Sequence, residues 1–149
     1  MGKKDSLAFN SHVFHEGTQT RGYEFFGAHA ETRGGAEGYV FRTWAPHARA
    51  ISVVGEFNGW NAAAHPMELV EHEIWEGFVP GLKEYDLYKF AVTGADGECR
   101  LKADPYAFHA ETRPGTASKL YDISGYEWND RAFRELRHKQ KISQSPLNA

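Results

Sequence analysis

The sequence is poor in cysteine and in long apolar runs. The 149 residues include a single cysteine, Cys99, so an internal disulfide is excluded and a reducing, cytoplasmic setting is expected. The mean hydropathy is −0.60, and no apolar run approaches the roughly 18 residues of a membrane span. Lys3, Lys4 and Asp5 precede no apolar segment of the secretory type. We therefore expect a cytoplasmic protein that does not use a membrane as a partner.

The sequence also lacks the common signatures of catalysis and metal binding. It contains no Gly-Lys-Ser/Thr phosphate loop, no Gly-x-Ser-x-Gly elbow, no Cys-x-x-Cys and no His-Glu-x-x-His. His12 and His15 have no further ligand nearby in the sequence, and acidic pairs such as Glu71 and Glu73 are typical of solvated turns. We expect no catalytic residue, no metal site and no cofactor.

Charge is distributed unevenly along the chain. Residues 1–130 contain 12 basic and 19 acidic side chains and have a net charge of −7, whereas residues 131–149 contain 5 basic and one acidic and have a net charge of +4. An acidic body argues against binding to a phosphate backbone, and the basic end lacks interleaved aromatic residues. The sequence therefore predicts no nucleic-acid partner.

Aromatic residues and glycines are plentiful, and they favour strands joined by tight turns. Aromatics make up 14% of the chain and glycine contributes 15 residues. Two segments alternate with a period of two: Ile51, Val53 and Phe57 share one parity, as do Tyr88, Phe90 and Val92. Gly-containing turns separate such segments at regular spacing. The pattern predicts an all-β sandwich.

The composition divides the chain into three parts. Residues 1–13 are poorly periodic and are expected to form a loose N-terminal arm. Residues 14–128 carry the strand pattern of the β-sandwich. Residues 129–149 are predicted to form a short basic helix, capped by Asn129 or Asp130, and then a linker.

A polar turn follows the predicted strand that contains Val53, and an aromatic residue comes directly after that turn. Trp60 follows the turn directly, and Asn58 and Asn61 flank it. Two interpretations remain open: Trp60 folds back over the core, or its flat ring stacks on the apolar face of a sugar while the asparagines bond to hydroxyls. Lys89 lies mid-strand on the parity opposite the apolar one, so it is either a solubility lysine or a hydrogen-bond donor to the same ligand.

Three motifs taken together resemble a family-48 carbohydrate-binding module, a domain found beside the catalytic barrel of glycoside hydrolase family 13 enzymes. The motifs are Phe41-x-x-Trp44-Ala45-Pro46, the stretch from Val54 to Trp60, and Tyr88-Lys89-Phe90. Further segments, Leu101 to Phe108 and Arg113 to Ser118, are similar to the module of bacterial glycogen branching enzymes.

The resemblance implies an immunoglobulin-like β-sandwich that binds α-1,4-glucan or malto-oligosaccharide. It also implies a covalently linked catalytic barrel, absent from this sequence, that forms α-1,6 branches in glycogen. The chain itself would then be non-catalytic, and the 129–149 segment would lead toward the barrel.

The resemblance transfers the binding residues unevenly. Trp60, Lys89 and Thr116 match the stacking and polar residues of glucan-binding members. A relative of this module occurs in the β subunit of AMP-activated kinase. The second stacking tryptophan of that kinase-type site falls on or near Leu101, its loop leucine falls at Pro114, and its asparagine falls at Ser118. The loss of about 50 Å² of ring contact corresponds to about 1.2 kcal/mol, or nearly tenfold in affinity. Weak binding is therefore expected.

Two alternatives to a glucan-binding module stay open. The sandwich could mainly support the barrel, with little sugar affinity, or it could be a free-standing interaction module of the kinase-subunit type. Trp44 and Trp75 lie in strand patterns and are predicted to pack in the core or between domains.

Overall fold

The computed structural model describes residues 6–139, in which two antiparallel sheets face each other. The alternating apolar residues of the sequence point into the space between the sheets, as period-2 strands require. This arrangement confirms the predicted all-β sandwich with a short C-terminal helix. The predicted linker falls largely in residues 140–149, outside the described range.

Between residues 6 and 139, nine strands build the two sheets. They are β1 (Gly27–Arg33), β2 (Ala36–Trp44), β3 (Ala50–Gly55), β4 (Glu68–Glu71), β5 (Ile74–Pro80), β6 (Leu87–Thr93), β7 (Cys99–Lys102), β8 (His109–Ala110) and β9 (Ser118–Lys119). The first sheet has the order β1-β2-β5-β4, and the second has the order β3-β6-β9-β8 with β7 also paired to β6. Strand β6 is therefore central: β3 pairs along one side, and β9 and β7 share the other.

The core lies between the sheets and is rich in aromatic rings. Phe41 of β2 contacts Tyr88 of β6 with ring centroids 5.1 Å apart. Phe41, Val53, Tyr88 and Phe90 are all at most 2% exposed. The two motifs that bracket the candidate site, one in β3 and one in β6, are thus anchored in one shared core.

A helix lies at the N-terminal end, where the sequence predicted a loose arm over residues 1–13. Helix α1 (Leu7–His15) begins at Ser6, whose side chain accepts a hydrogen bond from Phe9 N. The Phe14 ring packs on Phe26 and Trp44, at centroid distances of 4.7 and 5.7 Å. These long-range contacts stabilise a helix whose own apolar periodicity is weak, which is why the pattern did not reveal it.

Helix α2 (Arg131–Lys139) follows the sandwich, close to the predicted position. Arg134 N donates to Asp130 O over 2.9 Å at its first turn. None of the helix residues is buried. Among residues 6–139, no helix is both long enough and apolar enough to cross a bilayer.

Candidate functional site

The outer face of the second sheet holds three of the seven predicted ligand residues, namely Lys89, Leu101 and Thr116. Lys89 lies directly opposite Val54, and Leu101 lies directly opposite Ala91. Residues that face each other across an antiparallel pair share one side of the sheet, so Lys89, Ala91 and Leu101 form one surface. Tyr88 and Phe90, which alternate with them, point into the core.

Lys89 and Thr116 meet on this surface. The ammonium group of Lys89 donates a hydrogen bond to Thr116 Oγ1 over 2.6 Å, although the two residues are 27 positions apart. Lys89 is half-buried and Thr116 is exposed. An ammonium has three donors and a hydroxyl can both donate and accept, so the pair retains capacity for ligand hydroxyls.

Trp60 follows a short turn just beyond the end of strand β3. The chain turns through a short 3-10 helix (Glu56–Asn58) and Gly59, and Trp60 N then donates to Gly55 O over 2.9 Å. Gly55 itself pairs with Tyr88, the neighbour of Lys89. The side chain of Trp60 is 37% exposed, so a substantial part of the ring reaches solvent.

Asn58 and Asn61 take different parts in the turn. Asn58 Oδ1 accepts from Gly55 N, and Asn58 Nδ2 donates to Val53 O and lies 2.9 Å from His65 Nδ1. Its amide therefore stabilises the turn. Asn61 is exposed, and its Oδ1 accepts from Ala63 N over 2.9 Å.

Leu101 and Ser118, two of the three departures from the family pattern, lie on opposite sides of the sheet. Leu101 is 50% exposed on the outer face, and it pairs with Ala91, two residues after Lys89 on β6. Ser118 is only 2% exposed and its Oγ accepts from Asp104 N over 3.0 Å. Ser118 therefore faces inward, away from Lys89 and Thr116.

A buried polar network lies directly beneath the surface. Tyr88 Oη donates to Asp104 Oδ2 over 2.7 Å, and Tyr106 N donates to Asp104 Oδ1 over 2.8 Å. Burial raises the pKa of Asp104 and, beside it, the pKa of Tyr88. The network fixes the start of β6 against the segment that follows β7, and so holds Lys89 in place from below.

Three aromatic residues that the sequence analysis did not single out gather at the other side of β6. Tyr85, His109 and Tyr121, here termed the aromatic cluster, have ring centroids between 5.6 and 6.0 Å apart. The alternation of buried Leu120 with Lys119 and Tyr121 was the available signal for an outward-facing Tyr121.

The other tryptophans of the strands have packing roles. Trp75 is 8% exposed in the core, and its Nε1 donates to Ala45 O. Trp44 lies on the outer face of the first sheet beside Phe14. Within the part of the chain that the structure describes, no group of three or more His, Cys, Asp or Glu side chains could hold a metal ion.

The fold is similar to part of several solved proteins that are much longer than this chain. A putative alpha amylase from Salmonella typhimurium matches with a TM-score of 0.52 and 20% identity, over 72% of this chain and 16% of that protein. A pullulanase from Bacillus acidopullulyticus matches with a TM-score of 0.52 and 23% identity, over 65% of this chain and 12% of that protein. These similarities bear on the fold alone.

Sequence relatives are more similar and also much longer. The 1,4-alpha-glucan branching enzyme GlgB of Bacillus caldolyticus is 46% identical over 137 residues, which cover 91% of this chain and 21% of the relative. The enzyme of the same name from Bacillus subtilis is 39% identical over 148 residues, 99% of this chain and 24% of the relative. The chain thus spans only about a fifth to a quarter of the length of these relatives.

A family model described as carbohydrate-binding module 48 (isoamylase N-terminal domain) matches residues 25–107. The chain therefore belongs to the carbohydrate-binding module 48 family.

Proposed function

We propose that this chain is a non-catalytic binding module for α-1,4-glucan, with Trp60, Lys89 and Thr116 as its principal contacts. Membership of a carbohydrate-binding family supports a carbohydrate-binding role. The observation that carries the choice of face is the 2.6 Å bond between Lys89 and Thr116, which joins two predicted ligand residues from distant parts of the sequence.

The chemistry of this face suits a sugar. The exposed part of the Trp60 ring offers a flat apolar surface to the C–H face of a glucose unit, since aromatic rings favour such contacts. Lys89 and Thr116 offer donors and an acceptor to the hydroxyls at the edge of the unit. Leu101 gives apolar contact without stacking geometry, so affinity for a single short oligosaccharide is expected to be weak.

In a longer parent protein, the module would hold a catalytic barrel near its polymer. The similarity to 1,4-alpha-glucan branching enzymes supports this proposal, because this chain corresponds to a small fraction of each of them. The chain alone is expected to show no branching activity on amylose. Iodine staining of amylose after incubation with the chain would detect such activity and contradict a purely binding role.

The direct test is calorimetric titration of the chain with maltoheptaose. We expect saturable heat in the millimolar range, abolished in Trp60→Ala. Trp128→Ala is the matched control, because Trp128 is an exposed tryptophan outside the face, 74% accessible. A β-1,4-linked glucan of equal length should give no heat.

A second candidate function is support of the barrel with little affinity for sugar. The observation that favours it is the exposed apolar segment at the C-terminal end, where Trp128, Phe133 and Leu136 are 57–74% accessible. Absence of saturable heat up to tens of millimolar maltoheptaose would favour this candidate and would leave Trp60 with a structural role.

A further inference from the structure

We infer that the aromatic cluster of Tyr85, His109 and Tyr121 is a second stacking platform, which extends the Trp60 site to longer α-1,4-glucans. This inference rests on the proposed function, since it assigns the same ligand to a larger surface. It adds three residues that lie outside the predicted site.

Strand pairing puts the cluster on the same outer face as Lys89. His109 pairs with Lys119, and Lys119 pairs with Leu87, two residues before Lys89. Beyond the end of this pairing, Tyr85 N donates to Leu120 O over 2.7 Å. Leu120 points into the core, so its neighbour Tyr121 points outward.

Tyr85 is exposed, His109 and Tyr121 are partly exposed, and the three rings contact one another. Tyr85 is 56% exposed. Its ring is perpendicular to that of His109, with an interplanar angle of 89°, and tilted against that of Tyr121 at 53°. Edge-to-face contacts of this kind restrict ring rotation while they leave part of a ring open to a ligand.

Tyr85 and Trp60 share an unfavourable backbone conformation. The φ angles are +72° at Tyr85 and +60° at Trp60, in the left-handed region that disfavours bulky side chains. The other non-glycine residues with positive φ between residues 6 and 139, His72 and Glu73, form the turn between β4 and β5. Glycine or asparagine would relax both aromatic positions, so backbone geometry does not account for the rings. Strain of this kind is concentrated at ligand sites.

The two platforms are close enough for one oligosaccharide. Trp60 follows β3 and Tyr121 follows β9, and these strands flank β6. Adjacent strands lie about 4.8 Å apart, which separates β3 from β9 by about 10 Å across the sheet. Gly55 pairs with Tyr88, and Tyr85 lies three residues before Tyr88, which adds about 10 Å along the strands. The platforms are therefore on the order of 14 Å apart. Lys89 lies on β6, the strand between β3 and β9. A glucan of several units could therefore contact Trp60, Lys89 and the cluster together, whereas a short one could contact only one platform.

The experiment compares ligand lengths in single variants of the full chain. Maltotriose and maltoheptaose are titrated into wild type, Trp60→Ala, Tyr85→Ala and Tyr121→Ala. We expect Tyr85→Ala and Tyr121→Ala to lower the affinity for maltoheptaose by about tenfold, as for a lost ring contact of about 50 Å². Their affinity for maltotriose should stay nearly unchanged. Trp60→Ala should weaken both ligands.

Two controls separate stacking from folding. Tyr85→Phe keeps the ring and should retain maltoheptaose affinity, and Tyr126→Ala removes an exposed tyrosine (67% accessible) from outside the face. Tyr85→Gly suits the positive φ angle, so it should keep the melting temperature while it loses the length-dependent affinity. This pairing makes a folding defect distinguishable from loss of the platform.

The outcomes also separate this inference from the proposed function. If Trp60→Ala abolishes binding while Tyr85→Ala and Tyr121→Ala bind maltoheptaose as wild type does, the second platform is wrong and the proposed function stands. If wild type binds neither ligand, both are overturned. Equal weakening of maltotriose and maltoheptaose in Tyr85→Ala would overturn the extended site, because length dependence is its defining property.

Discussion

The two outer faces of the sandwich share one core and differ in chemistry. On the first sheet, Glu76 binds two arginines: its carboxylate oxygens lie 2.6 Å from Arg42 Nε and 2.9 Å from Arg33 Nη2. The Arg42 guanidinium also lies over the Phe25 ring at 4.9 Å. The polar groups of this face are already paired with one another.

The second sheet has a more open outer face. Lys89 pairs with a neutral hydroxyl, and Trp60, Tyr85 and Leu101 are each at least 37% exposed. The difference teaches that a candidate ligand face is better identified by what its polar groups already bind than by how many there are. Charges paired with each other have few hydrogen bonds left to offer a ligand, whereas the ammonium of Lys89, bonded to a neutral hydroxyl, keeps donors for the proposed sugar.

The largest expected effect comes from the core that both faces share. Phe41→Ala should reduce the free energy of unfolding by about 3–5 kcal/mol, because a fully buried ring is lost and a cavity remains. Urea unfolding measures the change, and Phe133→Ala in the exposed helix α2 should stay within about 0.5 kcal/mol of wild type. A small loss in Phe41→Ala would mean that the two sheets do not depend on one core.

The next effect is confined to the outer face of the first sheet, where Glu76 pairs with two arginines. Glu76→Gln removes charge-assisted bonds to Arg42 and Arg33, and should cost about 1–3 kcal/mol of unfolding free energy. Maltoheptaose affinity should not change, since Glu76 lies on the opposite sheet. Asp96→Asn, in the exposed pair with Arg100, is a control for an ion pair without burial. A parallel fall in glucan affinity in Glu76→Gln would show that the faces are coupled.

The ionisation of Glu76 should also make the free energy of unfolding depend on pH. Burial alone would raise the pKa of Glu76, but Arg42 and Arg33 lower it below its ordinary value of 4.5. The folded state then binds fewer protons than the unfolded state, so the stabilisation is present above pH 4.5 and is lost as pH falls through the folded pKa.

Urea titrations across this range give the measurement. The difference in unfolding free energy between wild type and Glu76→Gln should narrow steadily as pH falls below about 4.5. The raised pKa of Asp104 acts with the opposite sign, but it is common to both proteins and cancels in the difference. A difference that stays constant with pH would contradict the assigned role of the arginines.

The smallest effect on stability is expected on the outer face of the second sheet. Thr116→Val removes the hydroxyl that accepts from Lys89, at an exposed position, and should change unfolding free energy by no more than about 0.5 kcal/mol. Glucan affinity should fall several-fold, as calorimetry would measure. Thr112→Val, at another exposed threonine, should bind as wild type does. Unchanged affinity in Thr116→Val would remove the hydroxyl from the site.

Local patterns predicted the sheets and much of the face. The alternation of Tyr88 and Phe90 with Lys89 is a property of the strand itself, so it could be read from the sequence. The contact of Lys89 with Thr116 could not, because it depends on the pairing of β6 with β9; only family resemblance brought Thr116 to attention.

Features that depend on distant partners were not accessible in this way. Helix α1 is anchored by Phe26 and Trp44, which lie 12 and 30 residues after Phe14. The amide of Asn58 is held in part by His65, seven residues later, which no periodicity indicates. Tyr85 lies in a turn, where an aromatic residue carries no strand signal.

The three hydrogen bonds of the Asn58 amide have a kinetic consequence. They fix the backbone of the turn in the free protein, so the proposed contact of Trp60 with a sugar would need little ordering of the backbone. A preformed contact of small area is expected to associate without rearrangement and to dissociate quickly. On a polymer with many equivalent units, each departure leaves the next unit at high local concentration. We therefore expect long residence on the polymer to arise from rapid exchange between neighbouring units rather than from tight capture of one.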